Sequence, residues 1–326
     1  MNMKKFLLVL ISVTSIVQSY SQTAIATLCH NDSISWFYGI TALAEAYDAA
    51  SEGDVITLSS GQFNSVHIKK PITVRGAGMD LINYDDRIQE PTILIGNFQV
   101  ATSALSNSPL IIEGIRVNGS IVCYNLGNFT LSKCRVPEIS SSAGMTINAK
   151  FIHCIIENID GGSTPNVSIT AYNSILQNIY TEKEHSCDFT NCIIDVSHSP
   201  LECCSLRNCI LISSYEKRMG LGATNVAYNC VWYGSTATEP FTGINATRNN
   251  KLAPESQPLF EEGTFYELSE AGKEYLGLDG TEVGIYGGDF PFNTIPNVPQ
   301  ITKCKVASKT TADGKLSVEI EVKSAE

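Results

Sequence analysis

KFIHCII (150–156), TAYNSIL (170–176), DFTNCII (188–194) and SLRNCIL (205–211) are four versions of one seven-residue phrase. LSKCRV (131–136) and VAYNCVW (226–232) extend the series on either side. The fifth place of the phrase holds Cys134, Cys154, Ser174, Cys192, Cys209 and Cys230, at spacings of 20, 20, 18, 17 and 21 residues. Upstream, LIIEGIRV (110–117) fits with Ile115 at the same place, 19 residues before Cys134. Seven rungs at a near-constant interval are the signature of a solenoid, in which each repeat buries its apolar face only against its neighbours.

Within a rung the apolar residues alternate, as in extended strands. Phe129, Ala149, Ile169, Cys187 and Cys204 form one column, Leu131, Phe151, Ala171, Phe189 and Leu206 the next, and Val136, Ile156, Leu176, Ile194, Leu211 and Trp232 a third. The alternation slips by one residue at a fixed place, held by Lys133, His153, Asn173, Asn191, Asn208 and Asn229. A slip at a fixed place predicts a tight bend between two strands. Asparagine suits it because it tolerates left-handed backbone angles. Asn173, Asn191, Asn208 and Asn229 therefore read as an internal ladder whose side chains bond the rungs above and below, the other reading being independent turn residues.

The cysteines acquire a structural role from this frame. Cys134, Cys154, Cys192, Cys209 and Cys230 are expected to stack inside as small hydrophobes about 4.8 Å apart. In-register side chains point the same way, which is poor disulfide geometry, so mostly free buried thiols are expected, with Cys203 the most outward. The residue after each key position should point outward, yet it reads Ile155, Ile175, Ile193, Ile210 and Val231. Such a stripe, about 20 Å long, needs a cover, either the C-terminal segment or a second subunit. The competing register places this residue inside and the cysteine at the bend.

Residues 1–21 carry the pattern of a cleaved export signal: Lys4 and Lys5, an apolar run from Phe6 to Val13, and Ser19-Tyr20-Ser21 before Gln22. Cys29 follows Ala26-Thr27-Leu28, whose bulky leucine argues against lipidation. The remainder holds 20 basic and 33 acidic residues, a net charge of −13. That balance argues against nucleic acid, anionic membranes and unassisted binding of polyuronates. Eleven cysteines without a CxxC pair, and few histidines, argue against a zinc site. No second apolar span follows, so no transmembrane segment is expected in the mature chain.

A solenoid needs caps. Phe37, Ile40, Leu43, Ala44 and Tyr47 share one face at helical spacing, which predicts a capping helix over about 36–50, with Ser33 or Ser35 as N-cap. After Pro291 a linker precedes two alternating segments, Ile301 to Val306 and Lys315 to Val322, joined through Asp313-Gly314. These predict a hairpin that could cover the aliphatic stripe.

AASEGDVITLSSGQFNSVHIKKPITVRGAG (49–78) resembles the opening segment of the pectin-lyase-like superfamily, with Gly53-Asp54 after the helix, Gly61 at a bend, Lys70-Pro71 before the first full strand, and Gly76 and Gly78 closing it. QPLFEEGTFYELSEAGKEYLGLDGTEVGIYGGDF (257–290) is similar to the closing segment of many secreted bacterial β-helix repeat proteins, where two strands and a glycine turn finish the solenoid. The resemblance covers about 33–290. It implies an all-β, right-handed parallel β-helix with coils of 17–21 residues, exported to the periplasm, the cell surface or the medium. The expected organisation is a signal peptide at 1–21, an N-terminal segment with capping helix at 22–52, the β-helix at 53–290, and a linker with hairpin at 291–326.

The superfamily includes pectate lyases, polygalacturonases and pectin methylesterases, whose sites lie on the outer face. Polygalacturonase motifs are absent save for Asp85-Asp86; Arg135-Val136-Pro137 begins a pectate-lyase motif that Ser140 breaks; the methylesterase motifs are missing. The outward rows offer Asp188 and Arg207 on adjacent coils, and Asp195 with His198 in the following bend, as weak catalytic candidates. Tyr172 and Tyr228 are candidate sugar platforms. The expectation is a non-catalytic exported solenoid that binds a glycan or a cell-surface protein and needs no cofactor. The alternative is a polysaccharide lyase or glycoside hydrolase, with calcium if a lyase.

Overall fold

The structure is a computed structural model and describes residues 24–84, 88–101, 108–141, 147–160, 167–180, 185–197, 201–213, 221–234, 239–311 and 313–323. The signal segment 1–21, Asp85-Asp86 and His198 lie outside the described residues.

The repeat builds a parallel β-solenoid of about eight turns. Its first face carries the strands Val55–Leu58, Thr73–Arg75, Leu110–Glu113, Leu126–Ser132, Ile147–Ile152, Val167–Tyr172, Ser186–Thr190, Cys204–Arg207 and Val226–Tyr228, stacked in that order. The second face stacks short strands from Gly61–Asn64 through Ile155–Ile156, Ile175–Leu176 and Ile193–Asp195 to Lys251–Ala253. A third face runs from His67–Ile68 to Ile179–Tyr180. Register follows the repeat: Phe151 pairs with Ala171, Ala171 with Phe189, and Phe189 with Leu206. At one place the simple count fails. Counting back two residues from Phe129 would set Gly127 beside Ile147, but Leu126 pairs there, because Asn128 adopts a left-handed angle (φ 51°) and inserts a bulge.

The bend between first and second faces is left-handed in every rung. Lys133, His153, Asn173, Asn191, Asn208 and Asn229 have φ between 43° and 53°, with Gly114 preceding them at 65° and Asn249 following at 55°. This reverses the strand without a loop, so Cys134, Cys154, Cys192, Cys209 and Cys230 turn inward and are fully buried. All eleven cysteines are free. Several thiols donate to backbone carbonyls, Cys134 Sγ to Ser132 O at 3.2 Å and Cys209 Sγ to Arg207 O at 3.2 Å. Burial pushes the Cys154 thiol up to about 12. The exposed cysteines are Cys29 and Cys304, whereas Cys203, expected to be the most outward, is half-buried at a bend with φ 53°.

The aliphatic stripe is outside the solenoid and covered. Ile155, Ile175, Ile193, Ile210 and Val231 belong to a second apolar cluster, apart from the interior one that holds Ile156, Leu176, Ile194, Leu211 and Trp232. Their cover is a strap formed by residues after 253. Leu259, Leu268, Val283, Ile285 and Phe292 pack on the stripe, together with Met79 from a loop near the N-terminal end. Burying an aliphatic side chain of this size stabilises by about 1.5–3 kcal/mol. Residues 254–290, expected within the β-helix, therefore lie outside its coils. The predicted closing strands reduce to single bridges, Phe260 with Leu268 and Leu276 with Glu282.

The hairpin exists, Gln300–Val306 paired antiparallel with Val318–Lys323, but it does not cover the stripe, and both strands are largely exposed. The helix is Ala42–Ala49, shorter than expected. Its N-cap is Thr41 rather than Ser33 or Ser35, because 33–38 is a strand, Ser33–Tyr38, paired antiparallel with Ile25–His30. Asn31 and Asp32 (φ 46° and 62°) make the two-residue turn that such hairpins favour.

Candidate functional site

The bend column is a docking seam. Asn173 Nδ2 donates to Ile285 O (2.9 Å) and Gly287 O (2.7 Å), and Asn229 Nδ2 donates to Leu276 O (3.3 Å). Asn208 Oδ1 accepts from Leu278 N–H at 2.9 Å. Gly288 sits so close to Asn191 that an added Cβ would lie 2.3 Å from its Nδ2. Where the column departs from asparagine the pattern persists. His153 Nε2 lies 3.0 Å from Phe290 O, and Lys133 Nζ donates to Ile295 O (2.6 Å) and Asn297 Oδ1 (2.7 Å). The side chains expected to bond from rung to rung thus bond sideways to the strap. The physical reason is direction: a left-handed bend turns its side chain away from the core, toward the backbone carbonyls and amides of the segment packed beside it.

Rung-to-rung amide bonding does occur, at residues the repeat did not single out. Asn245 accepts from Ala227 N–H (3.0 Å) and donates to Asn225 O (2.8 Å); Asn250 accepts from Cys230 N–H (2.8 Å) and donates to Ala227 O (2.9 Å). These amides stand in for the missing next strand at the C-terminal end, where backbone groups would otherwise be orphaned. Their signal was the asparagine density of 245–250 immediately after the last repeat.

The outer surface of the first face is the remaining candidate. Its outward rows follow the expected register, with Thr170, Asp188 and Ser205 in one and Tyr172, Thr190, Arg207 and Tyr228 in the next. Asp188 and Arg207 are both exposed, and no ion pair joins them among the described residues. Asp195 is on the second face, where its carboxylate accepts from Ser197 N–H at 2.8 Å. Of the catalytic candidates, Asp188 and Arg207 share the first face on adjacent strands, Asp195 lies on the second, and His198 lies outside the described residues. Among the described residues no three His, Cys, Asp or Glu side chains form a metal-holding cluster.

Tyr172 and Tyr228 differ. The guanidinium of Arg248 lies 4.3 Å from the Tyr228 ring centroid and covers that ring. Tyr172 is 38 % exposed, with Lys150 Nζ 5.2 Å from its centroid. It borders a shallow groove of about 510 Å³ lined also by Asn128, Asn148, Thr130, Thr170 and Lys150. The groove crosses neighbouring rungs, so each strand contributes side chains at a repeat of about 4.8 Å. Amides, hydroxyls and one ammonium around one aromatic edge form a polar surface with both donors and acceptors. Asn128, Asn148 and Lys150 carry no site signal in the sequence, where they look like ordinary outward residues; Asn128 sits at the register shift of its strand.

No family model matches this chain, and neither a curated protein nor a solved structure matches it. Among the described residues no helix is long and apolar enough to cross a membrane.

Proposed function

We propose that the protein is an exported, right-handed parallel β-helix of the pectin-lyase-like kind that binds a glycan on its first face without cleaving it. The observation that carries this reading is the groove of Asn128, Asn148, Thr130, Thr170, Lys150 and Tyr172. Amide and hydroxyl groups meet sugar hydroxyls, and the Tyr172 ring meets an apolar sugar face. Right-handedness is the rule for parallel strands joined by crossovers in one sheet. The short helix, with Ala42, Leu43, Ala46 and Tyr47 in the core, supports a capping role at the N-terminal end. The basic start and apolar run of residues 1–21 support export to the periplasm or surface.

Catalysis of the glycosidase type would need two carboxylates at a set separation, and the outward row of Asp188 offers Thr170 and Ser205 as its register neighbours. The test is retention on immobilised neutral and acidic polysaccharides, read beside new reducing ends and unsaturated products, with and without calcium. Retention that falls about tenfold in Tyr172→Ala and Lys150→Ala, with no products, is the expected result. Product formation, or retention indifferent to both substitutions, would overturn the reading.

A further inference from the structure

The first sheet ends on an open edge. Among the described residues its outermost strand, Ser33–Tyr38, pairs with Ile25–His30 on one side and with no strand on the other. The hairpin closes at His30 and Ser33, so in the antiparallel alternation Ser33, Ser35 and Phe37 direct their amide and carbonyl groups inward. The bond from Gly39 N–H to Ala24 O at 2.7 Å keeps the same phase. Ile34, Trp36 and Tyr38 therefore direct theirs to the open edge. The same three side chains lie on the outer face and are 61 %, 58 % and 60 % exposed. Proteins usually blunt such an edge with lysine, proline or a bulge. SISWFY has none of these and no charge.

We infer that two copies of this chain join edge to edge through Ser33–Tyr38, antiparallel, with Trp36 opposite the partner copy's Trp36. Three points select a second copy as the occupant. A two-fold axis perpendicular to the sheet keeps outer faces together, so opposing residue numbers must sum to an even value. The register centred on Trp36 does this and sets Ile34 against Tyr38 in both directions. In that register the outward groups of Trp36 meet those of the partner's Trp36, and those of Ile34 meet those of the partner's Tyr38, each donor facing an acceptor. The aromatic and aliphatic side chains then form cross-strand pairs, the unit of sheet stabilisation. Finally, the chain carries a net charge of −11. An uncharged strand is a surface on which two such chains approach without setting like charges opposite one another. The helix Ala42–Ala49 packs its apolar side into the core and lies against the same two N-terminal strands, and Ile34, Trp36 and Tyr38 stay exposed beside it. An interface of one short strand per copy falls below the roughly 1,200 Å² of standard complexes, the size class of weak, reversible associations.

Sedimentation velocity from about 1 to about 200 µM protein, with tryptophan emission recorded in parallel, tests this. Trp232 is buried and serves as the constant background, whereas Trp36 reports the edge. The expected result is a monomer–dimer equilibrium whose dimer arm carries a blue shift. Ile34→Lys/Tyr38→Lys places lysines opposite each other in the proposed register and should weaken association at least about 100-fold. Trp36→Pro removes an outward amide without a ladder bond of the monomer and should do the same, provided circular dichroism is unchanged. A monomer across the whole range, a dimer that survives both variants, or an edge that takes up only a foreign strand would each overturn the proposal.

Discussion

Ile193 and Ile194 are neighbours in the chain, both buried, and belong to different cores. Ile194 lies inside the solenoid, in the stack of Ile156, Leu176 and Leu211; Ile193 lies outside it, beneath the strap. The inside core repeats, so each rung supports the next and the same residue types recur at one interval. The outside core does not repeat on both sides. Its solenoid half is a regular aliphatic stripe, but its strap half is a sequence of single contacts, each made once: Leu276 at Asn229, Leu278 at Asn208, Gly287 at Asn173, Phe290 at His153, Ile295 at Lys133. The strap runs back along the coils, against their order of stacking. A periodic surface can thus be matched by an aperiodic segment, provided that segment brings apolar side chains and free backbone carbonyls or amides at about the rung spacing.

The largest effect that would sharpen this contrast is Ile194→Asp. A carboxylate inside the solenoid has no partner, and a loss of about 4 kcal/mol or more is expected. Urea unfolding followed by circular dichroism should show the coils themselves destabilised. Ile193→Asp should act differently, removing about 2–4 kcal/mol of strap docking while the parallel coils keep their dichroism. Equal collapse in both variants would mean that the two cores are one. Gly288→Ala comes next. Its φ of 79° and its closeness to Asn191 leave no room for a Cβ, so strap docking should weaken by about 1–3 kcal/mol. Gly280→Ala has the same φ of 79° but nothing within 4 Å, and should lose only the backbone part. Limited proteolysis within 254–300 would rank the two. Asn173→Ala removes two bonds to the strap, with an expected loss of about 1–2 kcal/mol, measured by the same cleavage rates.

The smallest effect is that of pH. Burial holds His153 below its ordinary value of 6.5, and the neighbouring Lys133 charge adds to this, while the Phe290 carbonyl partly opposes both. The fold therefore favours the neutral ring. The docking it supports is complete above about pH 6.5 and is lost as pH falls through the depressed value, by at most about tenfold per pH unit. His153→Asn should flatten the dependence of strap cleavage on pH between 5 and 7.5. An unchanged profile would place the titrating group elsewhere.

How far the sequence carried the reading follows from the same contrast. The coils were legible because seven rungs repeat one phrase, and the slip before Cys134, Cys154, Cys192, Cys209 and Cys230 marked a left-handed bend found in every one. The stripe was legible as outward and in need of cover. The strap was not, since GLDGTEVGIYGG reads equally as closing turns, and only its glycines hinted at close approach to another backbone. The helix expected over 36–50 overlaps the end of the N-terminal hairpin because Phe37 and Ile40 fall at helical spacing with Leu43 and Tyr47, while the Asn31-Asp32 turn is the better guide to the strand at 33–38. The polar groove was half legible: Tyr172 stood out by type, whereas Asn128, at a register shift, and Lys150, in a regular outward row, are residue types common on any surface.

Hydrogen exchange read by mass spectrometry on the wild-type chain and Ile193→Asp tests the central claim most directly. The account predicts that protection falls across 254–300 and at the stripe it covers, with the first-face strands from Ile147–Ile152 to Cys204–Arg207 protected as before. Loss of protection throughout the coils, or no change anywhere, would contradict it.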